Sequence, residues 1–283
     1  MPAITIRNAM TIDVEDYFHV SAFASHISRD SWNTRECRIE RNIDRILSML
    51  GEHRTQATFF TLGWVAERYP DLVRRIVAGG HELASHGYGH LRVNEQSPVE
   101  FKEDVSKAKK ILEALGGVEV RGYRAPSFSI GSENLWALDT LVETGHRYSS
   151  SIYPIAHDHY GMPEAPRFAF RTGEGERLLE VPATTIYFLN RNLPASGGGY
   201  FRLLPYGISR WSIRRVNEKD GQPCVFYFHP WEIDPGQPRQ RGIGWKTRFR
   251  HYVNLARTEG RIRSLLRDFR WGRMDQIFLE GSK

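Results

Sequence analysis

The alternation of two kinds of segment is the feature that most limits the folds open to this chain of 283 residues. Short apolar segments, typical of buried strands, alternate with longer ones whose apolar residues repeat every three or four positions, as in amphipathic helices. Strands that alternate with helices form a parallel sheet covered by helices. Because no linker-like stretch divides the pattern, a single α/β barrel fits it better than two domains do.

Two strands near the ends of this pattern are the most strongly indicated. The segment AITIRNAMTIDVED alternates apolar and polar residues and ends in a cluster of carboxylates. The segment PCVFYFHPWE is a continuous apolar run, which indicates a strand buried on both faces. The glycines of GGGYFRLLP lack the spacing of a phosphate-binding loop and are interpreted as a flexible loop at the rim.

The C-terminal segment differs from the rest of the chain in charge. The net charge is +6, yet eleven Lys and Arg residues and only two acidic ones lie between Arg239 and Arg273. This concentration indicates a local anionic contact or a solvated helix face, not a general nucleic-acid binder. We expect residues 239–283 to form a basic helical extension, interrupted near Gly260, that packs on a barrel of residues 1–238. The apolar positions expected to pack are Phe249, Tyr252, Val253, Ala256, Ile262, Leu265, Leu266 and Phe269.

Composition excludes several classes of protein. Hydrophobic residues make up 40% of the chain and charged residues 25%, which is typical of a globular protein. No apolar run approaches the ~18 residues of a membrane-spanning helix, and the N-terminus lacks a signal-peptide pattern. We therefore expect a cytoplasmic protein, with peripheral contact at the inner membrane through the basic segment. The two cysteines cannot form a disulfide framework or a zinc ribbon.

Carboxylates follow the first strand. Asp13, Glu15 and Asp16 lie where a strand would meet a loop, and α/β barrels build their sites at such strand ends. Residues two apart share a strand face, so Asp13 and Glu15 would repel each other unless a cation or a proton lies between them. Taken alone, the three carboxylates fit a solvated strand end equally well.

Two histidines follow a later strand in the segment His86-Gly-Tyr-Gly-His90. The flanking glycines allow a tight loop from which both imidazoles can reach one metal ion. Alone the pattern is weak, since histidines on a surface turn are common. Together with a carboxylate from the first strand, the two nitrogens make up the ligand set of a catalytic zinc site that keeps one position open.

An arginine and a third histidine complete the polar strand ends. Arg124 ends a strand before Pro126, where it could pair with a carboxylate, and a surface arginine beside a turn is an equally good interpretation. His229 follows the apolar strand near the C-terminus, in surroundings that can shift its pKa for general acid catalysis. For a lone histidine, a core position with satisfied hydrogen bonds would be the commoner case.

Four segments, taken in their order along the chain, resemble the motifs of the polysaccharide deacetylase family, carbohydrate esterase family 4, with its chitooligosaccharide-deacetylase homology domain. The segments are TIDVED, SHGYGH, RGYRAP and FHPWE, and the ordered set from Thr11 to Glu232 is much more specific than any member of it. The resemblance is closer still to deacetylases of exosortase and exopolysaccharide gene clusters. That likeness rests on TIDVEDYFHV, GGGYFRLLP and RFRHYVNLARTEGRIRSLLRDF, and it covers nearly the whole chain.

The resemblance implies a distorted (β/α) barrel with a C-terminal helical appendage. It also implies a divalent metal, most simply Zn²⁺ with Co²⁺, Ni²⁺ or Mn²⁺ as alternatives, and removal of N-acetyl groups from a sugar. The roles that it implies are catalytic base for Asp13, tether of the base for Arg124, general acid for His229, metal ligands for Glu15, His86 and His90, and oxyanion contact for Ser127 after Pro126. Tyr88 and Trp231, as aromatic residues near these motifs, are candidates for contact with the substrate.

Two departures from the family pattern leave positions open. The family's first motif has adjacent aspartates, whereas Val14 follows Asp13 here, so the metal carboxylate comes from Glu15, which shares a strand face with Asp13, or from Asp16. The motif that normally gives the catalytic histidine an aspartate reads YSSSIYP, without a carboxylate. Glu232 or a loop residue such as Asp158 would then have to take that place beside His229.

The predicted function is therefore a metal-dependent N-deacetylase of polysaccharide or exopolysaccharide biosynthesis. The expected partner is an N-acetylated glycan, free or linked to a lipid or a nucleotide, and no nucleic acid. Two other functions stay open. One is an amidohydrolase of the same architecture that acts on a small cyclic amide or ureide, as allantoinase-like relatives do. The other is a carbohydrate-binding relative without turnover.

Overall fold

A nine-stranded sheet forms the centre of the protein in a computed structural model that describes residues 6–157 and 161–280. Its strands are β1 (Arg7–Val14), β2 (Thr58–Thr61), β3 (Glu82–Ser85), β4 (Gly122–Tyr123), β5 (Tyr148–Ser149), β6 (Phe170–Thr172), β7 (Leu178–Glu180), β10 (Val225–Phe228) and β11 (Arg270–Gly272). A separate antiparallel hairpin consists of β8 (Thr185–Phe188) and β9 (Arg191–Pro194).

The strands run in the order β10, β1, β2, β3, β4, β5, β7 and β6, and β11 pairs with the first residues of β1. All of these pairs are parallel except that of β6 with β7. The sheet curls into part of a barrel with helices around it, which confirms the predicted distorted (β/α) barrel.

Helices connect the strands and cover the sheet. They are α1 (Ile39–Glu52), α2 (Gly63–Arg68), α3 (Pro70–Ala78), α4 (Pro98–Gly116), α5 (Trp136–Glu143), α6 (Gly198–Leu203), α7 (Tyr206–Arg215), α8 (Trp245–Tyr252) and α9 (Leu255–Asp268). The ends of α4 show why the chain folds this way locally. Ser97 and Glu100 form a reciprocal capping box at its start, and Gly117 ends it in the left-handed conformation that glycine adopts without strain.

Parallel pairing places the ends of four strands side by side. Asp13 lies near the end of β1, while His86, Arg124 and His229 directly follow β3, β4 and β10. Because β10, β1, β2, β3 and β4 are consecutive in the sheet, these polar residues share one edge of it. A buried cluster that includes Ile12, Phe59 and Phe228 packs on β1, β2 and β10 and supports these strand ends from one side.

The C-terminal segment is both helical and part of the sheet. The break between α8 and α9 falls at Asn254, whose φ is 53°, whereas α9 runs through Gly260, so the expected break at Gly260 is wrong. Strand β11, which pairs with β1, is not expected from the sequence pattern. Packing of Phe249 on the barrel is also wrong, because its side chain is 53% exposed. Within the described residues, no helix has both the length and the apolar character to cross a bilayer.

Candidate active site

Three buried side chains at this edge of the sheet form a group suited to a metal ion. Glu15, His86 and His90 bring one carboxylate oxygen and two imidazole nitrogens within 4.8 Å of one another. Two nitrogens and one oxygen are the protein ligands of many catalytic zinc sites, which leave a further position for water or substrate. His90 has a φ of 51°, a backbone conformation uncommon for a residue with a side chain, and this directs its loop back toward Glu15.

The hydrogen bonds around this group leave its ligand atoms available. His86 Nδ1 lies 2.8 Å from the carbonyl oxygen of Arg124. This contact fixes the ring and leaves Nε2 as the atom that can bind a metal ion. Glu15 Oε2 is buried 2.7 Å from His90 Nε2 in an orientation that makes no hydrogen bond. A buried carboxylate oxygen without a hydrogen bond, between two imidazoles, fits a bound divalent cation.

The ionisation of these groups also fits metal binding. Burial alone raises the pKa of Glu15, but the nearby imidazoles of His90, His229 and His86 outweigh it and hold this pKa well below the usual range. Burial lowers the pKa of His86 to about 4, so the ring is neutral near pH 7. An ionised carboxylate and a neutral imidazole are the forms that bind metal.

Asp16, the other carboxylate considered for the metal, points elsewhere. Its side chain accepts hydrogen bonds from the backbone N–H groups of Tyr17 and Arg38. Burial raises its pKa to about 6. Of the two carboxylates left open by the sequence, the structure therefore brings Glu15, and not Asp16, to the two histidines.

Asp13 lies beside the metal-ligand group and is held by a buried arginine. Arg124 Nη1 donates to Asp13 Oδ1 over 2.6 Å, and both side chains are almost fully buried. The same guanidinium donates to Thr11 Oγ1 and to the carbonyl and hydroxyl oxygens of Ser150. These added hydrogen bonds satisfy the buried arginine and fix one oxygen of Asp13, so that Oδ2 remains for a reacting group.

His229 faces the same space from the opposite side. Its Nε2 lies 3.3 Å from Glu15 Oε1 and 3.8 Å from Asp13 Oδ2, and its Nδ1 lies 2.5 Å from Glu232 Oε1. Burial lowers the pKa of His229, but the three carboxylates of Glu15, Glu232 and Asp13 together raise it to about 9. Glu232, one of the two sequence-based alternatives, is thus the carboxylate beside His229 Nδ1. The other, Asp158, lies outside the described residues.

Arg202 completes this arrangement, although no motif in the sequence points to it. Its Nε donates to Glu232 Oε2 over 2.6 Å, and both residues are buried. Its Nη1 donates to the carbonyl oxygens of His251 and Val253, at the end of α8. The only signal in the sequence is an arginine in GGGYFRLLP, a segment interpreted as a rim loop.

The interpretation of these glycines as a rim loop is wrong, because Gly197 and Gly198 are buried and α6 begins at Gly198. The two glycines have φ values of 128° and 57°. A Cβ atom on Gly197 would come within 2.0 Å of the carbonyl oxygen of Tyr227. Glycine therefore lets this backbone lie against β10, and α6 starts here and carries Arg202 toward Glu232.

The corner after β4 has an unusual backbone. Pro126 is buried at the start of a single 3₁₀ turn, and Ser127 and Phe128 have φ values of 57° and 50°. Within residues 6–157 and 161–280, the N–H of Ser127 makes no hydrogen bond. Its hydroxyl lies 2.7 Å from that of Ser21. Two successive left-handed residues without glycine are strained, and such strain clusters at functional sites.

Tyr88 and Trp231 are each held by contacts with other parts of the protein. The Tyr88 hydroxyl donates a hydrogen bond to the Glu67 carboxylate. Its ring packs beside Gly63 and under the ammonium group of Lys107. Trp231 is buried, with its ring stacked between those of His229 and His251. Tyr88 is thus engaged by helix residues and Trp231 supports the ring of His229, and contact of either side chain with a substrate stays a prediction.

Comparison with protein families divides the chain into two parts. Residues 30–148 match the family described as polysaccharide deacetylase. Residues 150–279 match a domain of unknown function, DUF3473. His86, His90 and Arg124 lie in the first part, and Arg202, His229 and Glu232 lie in the second.

Curated relatives match over part of the chain. A peptidoglycan-N-acetylglucosamine deacetylase of Bacillus cereus is 34% identical over 96 residues, which are 34% of this chain and 35% of the relative. A chitooligosaccharide deacetylase of Bradyrhizobium sp. is 35% identical over 98 residues, which are 34% of this chain and 42% of the relative. The chain thus spans well under half the length of these relatives.

Solved structures match over nearly the whole chain and show the fold. A structure described as a polysaccharide deacetylase of Mycobacterium smegmatis has a TM-score of 0.63 at 19% identity and covers 98% of this chain and 93% of its own. The Puue allantoinase has a TM-score of 0.59 at 15% identity, over 96% of this chain and 88% of its own. These structural likenesses show the fold alone, while the family match of residues 30–148 and the curated relatives support a member of the polysaccharide deacetylase family.

Proposed function

We propose that this protein is a metal-dependent hydrolase that removes N-acetyl groups from an N-acetylated sugar during polysaccharide or exopolysaccharide biosynthesis. One observation carries the proposal. The Asp13–Arg124 ion pair lies beside the group of Glu15, His86 and His90, and His229 faces both. Family membership and the deacetylase names of the relatives support this reaction class.

Glu15, His86 and His90 would hold the metal ion. We propose zinc, because two imidazoles and one carboxylate are a common catalytic zinc set. When bound, such an ion supplies Lewis-acid polarisation of the acetamide carbonyl and a lowered pKa for water.

Asp13 would act as the base that takes a proton from the attacking water. The guanidinium of Arg124 holds Asp13 Oδ1, and Asp13 Oδ2 lies 3.8 Å from His229 Nε2 on the side of the reacting groups. The N–H of Ser127, in its strained corner, is available to donate a hydrogen bond to the acetamide oxygen, where negative charge develops when water adds. These two groups serve the addition of water.

His229 would act as the acid that protonates the departing amine. Amide hydrolysis needs this proton, because an amine anion is too basic to leave unaided. The Glu232 carboxylate beside Nδ1 favours the protonated ring and directs Nε2 toward the space next to Asp13. The elimination step is thus served by a residue from the opposite side of the site.

The finer substrate is also a proposal. We propose a glycan carried on a lipid or a nucleotide, with the protein peripheral to a membrane, because the excess positive charge lies in the C-terminal segment. Retention of the buried Asp13–Arg124 pair supports turnover over simple carbohydrate binding, which needs no base.

Acetate release from the purified full chain tests the proposal. N-acetylglucosamine oligomers, a lipid-linked N-acetylated precursor and allantoin would be compared, with Asp13→Asn as the control. We expect acetate from N-acetylated sugars, no ring opening of allantoin, and a loss of roughly 10²–10⁴-fold in acetate release with the variant. Ring opening of allantoin without acetate release would instead assign a cyclic ureide as substrate. Binding of oligomers by the metal-loaded protein without any turnover would leave only a binding protein.

A further inference from the structure

Helix α8 exposes two large aromatic side chains on one face. Trp245 is 75% exposed and Phe249 is 53% exposed. They are four positions apart, so their side chains project from the same side of the helix. Exposed aromatic residues of this size on one helical turn are costly in water, which indicates a face that something covers.

Positive charge surrounds these two rings. Arg241, Lys246, Arg248 and Arg250 are all exposed, and the Lys246 ammonium lies 5.7 Å from the Trp245 ring. The sequence contains no acidic residue between Asp234 and Glu259. No ion pair therefore forms along this helix itself, and its cations face outward around an aromatic pair.

The opposite side of α8 is fixed to the candidate active site. His251 is buried, its ring stacks on Trp231 at 4.2 Å between centroids, and its Nε2 lies 2.6 Å from Gln237 Oε1. Arg202, which holds Glu232, binds the carbonyl oxygens of His251 and Val253. The exposed face thus belongs to a helix that is held against the supports of His229.

We propose that this face of α8 docks on an anionic membrane surface, with Trp245 and Phe249 in the interface and the four cations on lipid phosphates. Aromatic rings flanked by Lys and Arg are the composition of helices that lie in a membrane interface. Each cation near an anionic bilayer strengthens binding about fivefold. Two copies of this face would bring eight cations together, so charge disfavours a symmetric dimer.

Docking would place a membrane next to the candidate active site. Where the proposed deacetylase function holds, the substrate class that fits is an N-acetylated glycan on a lipid carrier. The docking itself does not depend on that function, because none of the face residues contacts Asp13, His229 or the metal-ligand group in the described structure.

Co-sedimentation of the full chain with vesicles tests the docking. The vesicles would contain phosphatidylcholine alone or phosphatidylcholine with a third of phosphatidylglycerol. We expect binding to the anionic vesicles, weaker binding to the neutral ones, and a loss of binding at high salt. The triple variant Lys246→Gln, Arg248→Gln, Arg250→Gln should weaken binding about a hundredfold. The variant Trp245→Ser with Phe249→Ser should weaken it on both kinds of vesicle.

Matched controls use exposed residues elsewhere. Arg74→Gln, Arg147→Gln and Arg177→Gln make the same change in net charge away from α8 and should leave binding within about twofold. Leu189→Ser removes a side chain that is 73% exposed and should likewise leave it unchanged. All variants should hydrolyse a soluble substrate as the unchanged protein does.

Three results would overturn the docking. They are equal binding of the α8 variants and their controls, no binding of the unchanged protein to anionic vesicles, and a concentration-dependent dimer that Trp245→Ser abolishes in the absence of vesicles. Vesicle binding by a protein that releases no acetate would refute the deacetylase proposal alone. Acetate release without vesicle binding would refute the docking alone.

Discussion

The two sides of the candidate site are built in different ways. On one side, Asp13, Glu15, His86 and Arg124 stand at or just after strand ends, and their partners are mostly one another and nearby backbone. On the other side, His229 depends on a relay of side chains that runs through Glu232 and Arg202 to the carbonyl oxygens at the end of α8. The first side is set by the sheet, and the second requires the region matched by DUF3473.

This difference suggests a division of tasks. In the proposed mechanism, the strand-end side would hold the metal ion and the base, which serve the addition of water. The relay side would hold the acid, which serves departure of the amine. The unknown-function domain is therefore interpreted as part of the catalytic apparatus, and variants should separate the two sides.

The largest effect is expected from a metal ligand on the strand-end side. His86→Ala removes one of three protein ligands, so both bound metal and amide hydrolysis should fall to background. Metal analysis of the purified protein and acetate release measure the two quantities. Arg202→Met, on the relay side, should keep its metal, and loss of metal in that variant would contradict the separation.

Asp13→Asn should break catalysis but not metal binding. The substitution keeps the shape and removes the base, so turnover should fall by roughly 10²–10⁴-fold. The metal content should stay near that of the unchanged protein, because Asp13 is not one of the grouped ligands. Turnover within threefold of the unchanged protein would remove Asp13 from its proposed role.

Arg202→Met tests whether the relay serves the acid. It leaves Glu232 buried without its cation, and breaking a buried pair costs about 3–5 kcal/mol of stability. Hydrolysis of N-acetyl sugars should fall by roughly 10–100-fold, which reaches the lower end of the ~10²–10⁴-fold that a general acid contributes, because the variant weakens the acid without removing it.

An aryl acetate ester separates the chemical role of Arg202 from a structural one. Its phenolate leaving group needs no proton, so Arg202→Met should lose little activity on the ester. Addition of Glu232→Gln removes the unpaired charge and should recover part of the stability without recovering amide hydrolysis. Equal losses on ester and amide would make the effect structural only.

The smallest effect concerns stability and lies away from both sides. His146 is buried behind α5, and burial lowers its pKa to about 3 from the usual 6.5. The folded state therefore binds no proton there while the unfolded state does, so stability is full above pH 6.5 and decreases as pH falls toward 3. At pH 5.5 the resulting loss in the free energy of unfolding is about 1.4 kcal/mol.

Denaturant unfolding at pH 7.5 and pH 5.5 measures this contribution. His146→Gln should lose about 1.4 kcal/mol less than the unchanged protein does between the two pH values, with unchanged acetate release at pH 7.5. The same dependence on pH in both proteins would show that His146 is not buried in its neutral form.

The parts predicted from the sequence are those that depend on local pattern. Periodicity indicated the strands that end near Asp13 and His229, and parallel pairing brought their ends together. Spacing could not show that Trp231 stacks between two rings or that Tyr88 turns to Glu67, because these contacts depend on packing between distant segments. Arg202 lies 30 residues before Glu232, and nothing local marks it as its partner.

The exposed face of α8 shows that helical spacing alone can also assign a residue to the core wrongly. Helical spacing placed Phe249 with residues that pack, and in α9 that reasoning holds for Ile262, Leu265 and Leu266, which are buried. The turn at Asn254 changes the direction of the chain, so α8 presents a different side to the barrel. A break in a helix has to be located before its apolar face can be assigned.

Titration of the metal-stripped full chain with Zn²⁺, while acetate release from an N-acetylglucosamine oligomer is followed, examines the proposed site as a whole. Release should rise with bound metal and level off at about one ion per chain, as expected for one group of two imidazoles and a carboxylate. Undiminished release by the stripped protein, or saturation of the site without any release, would contradict the proposed mechanism.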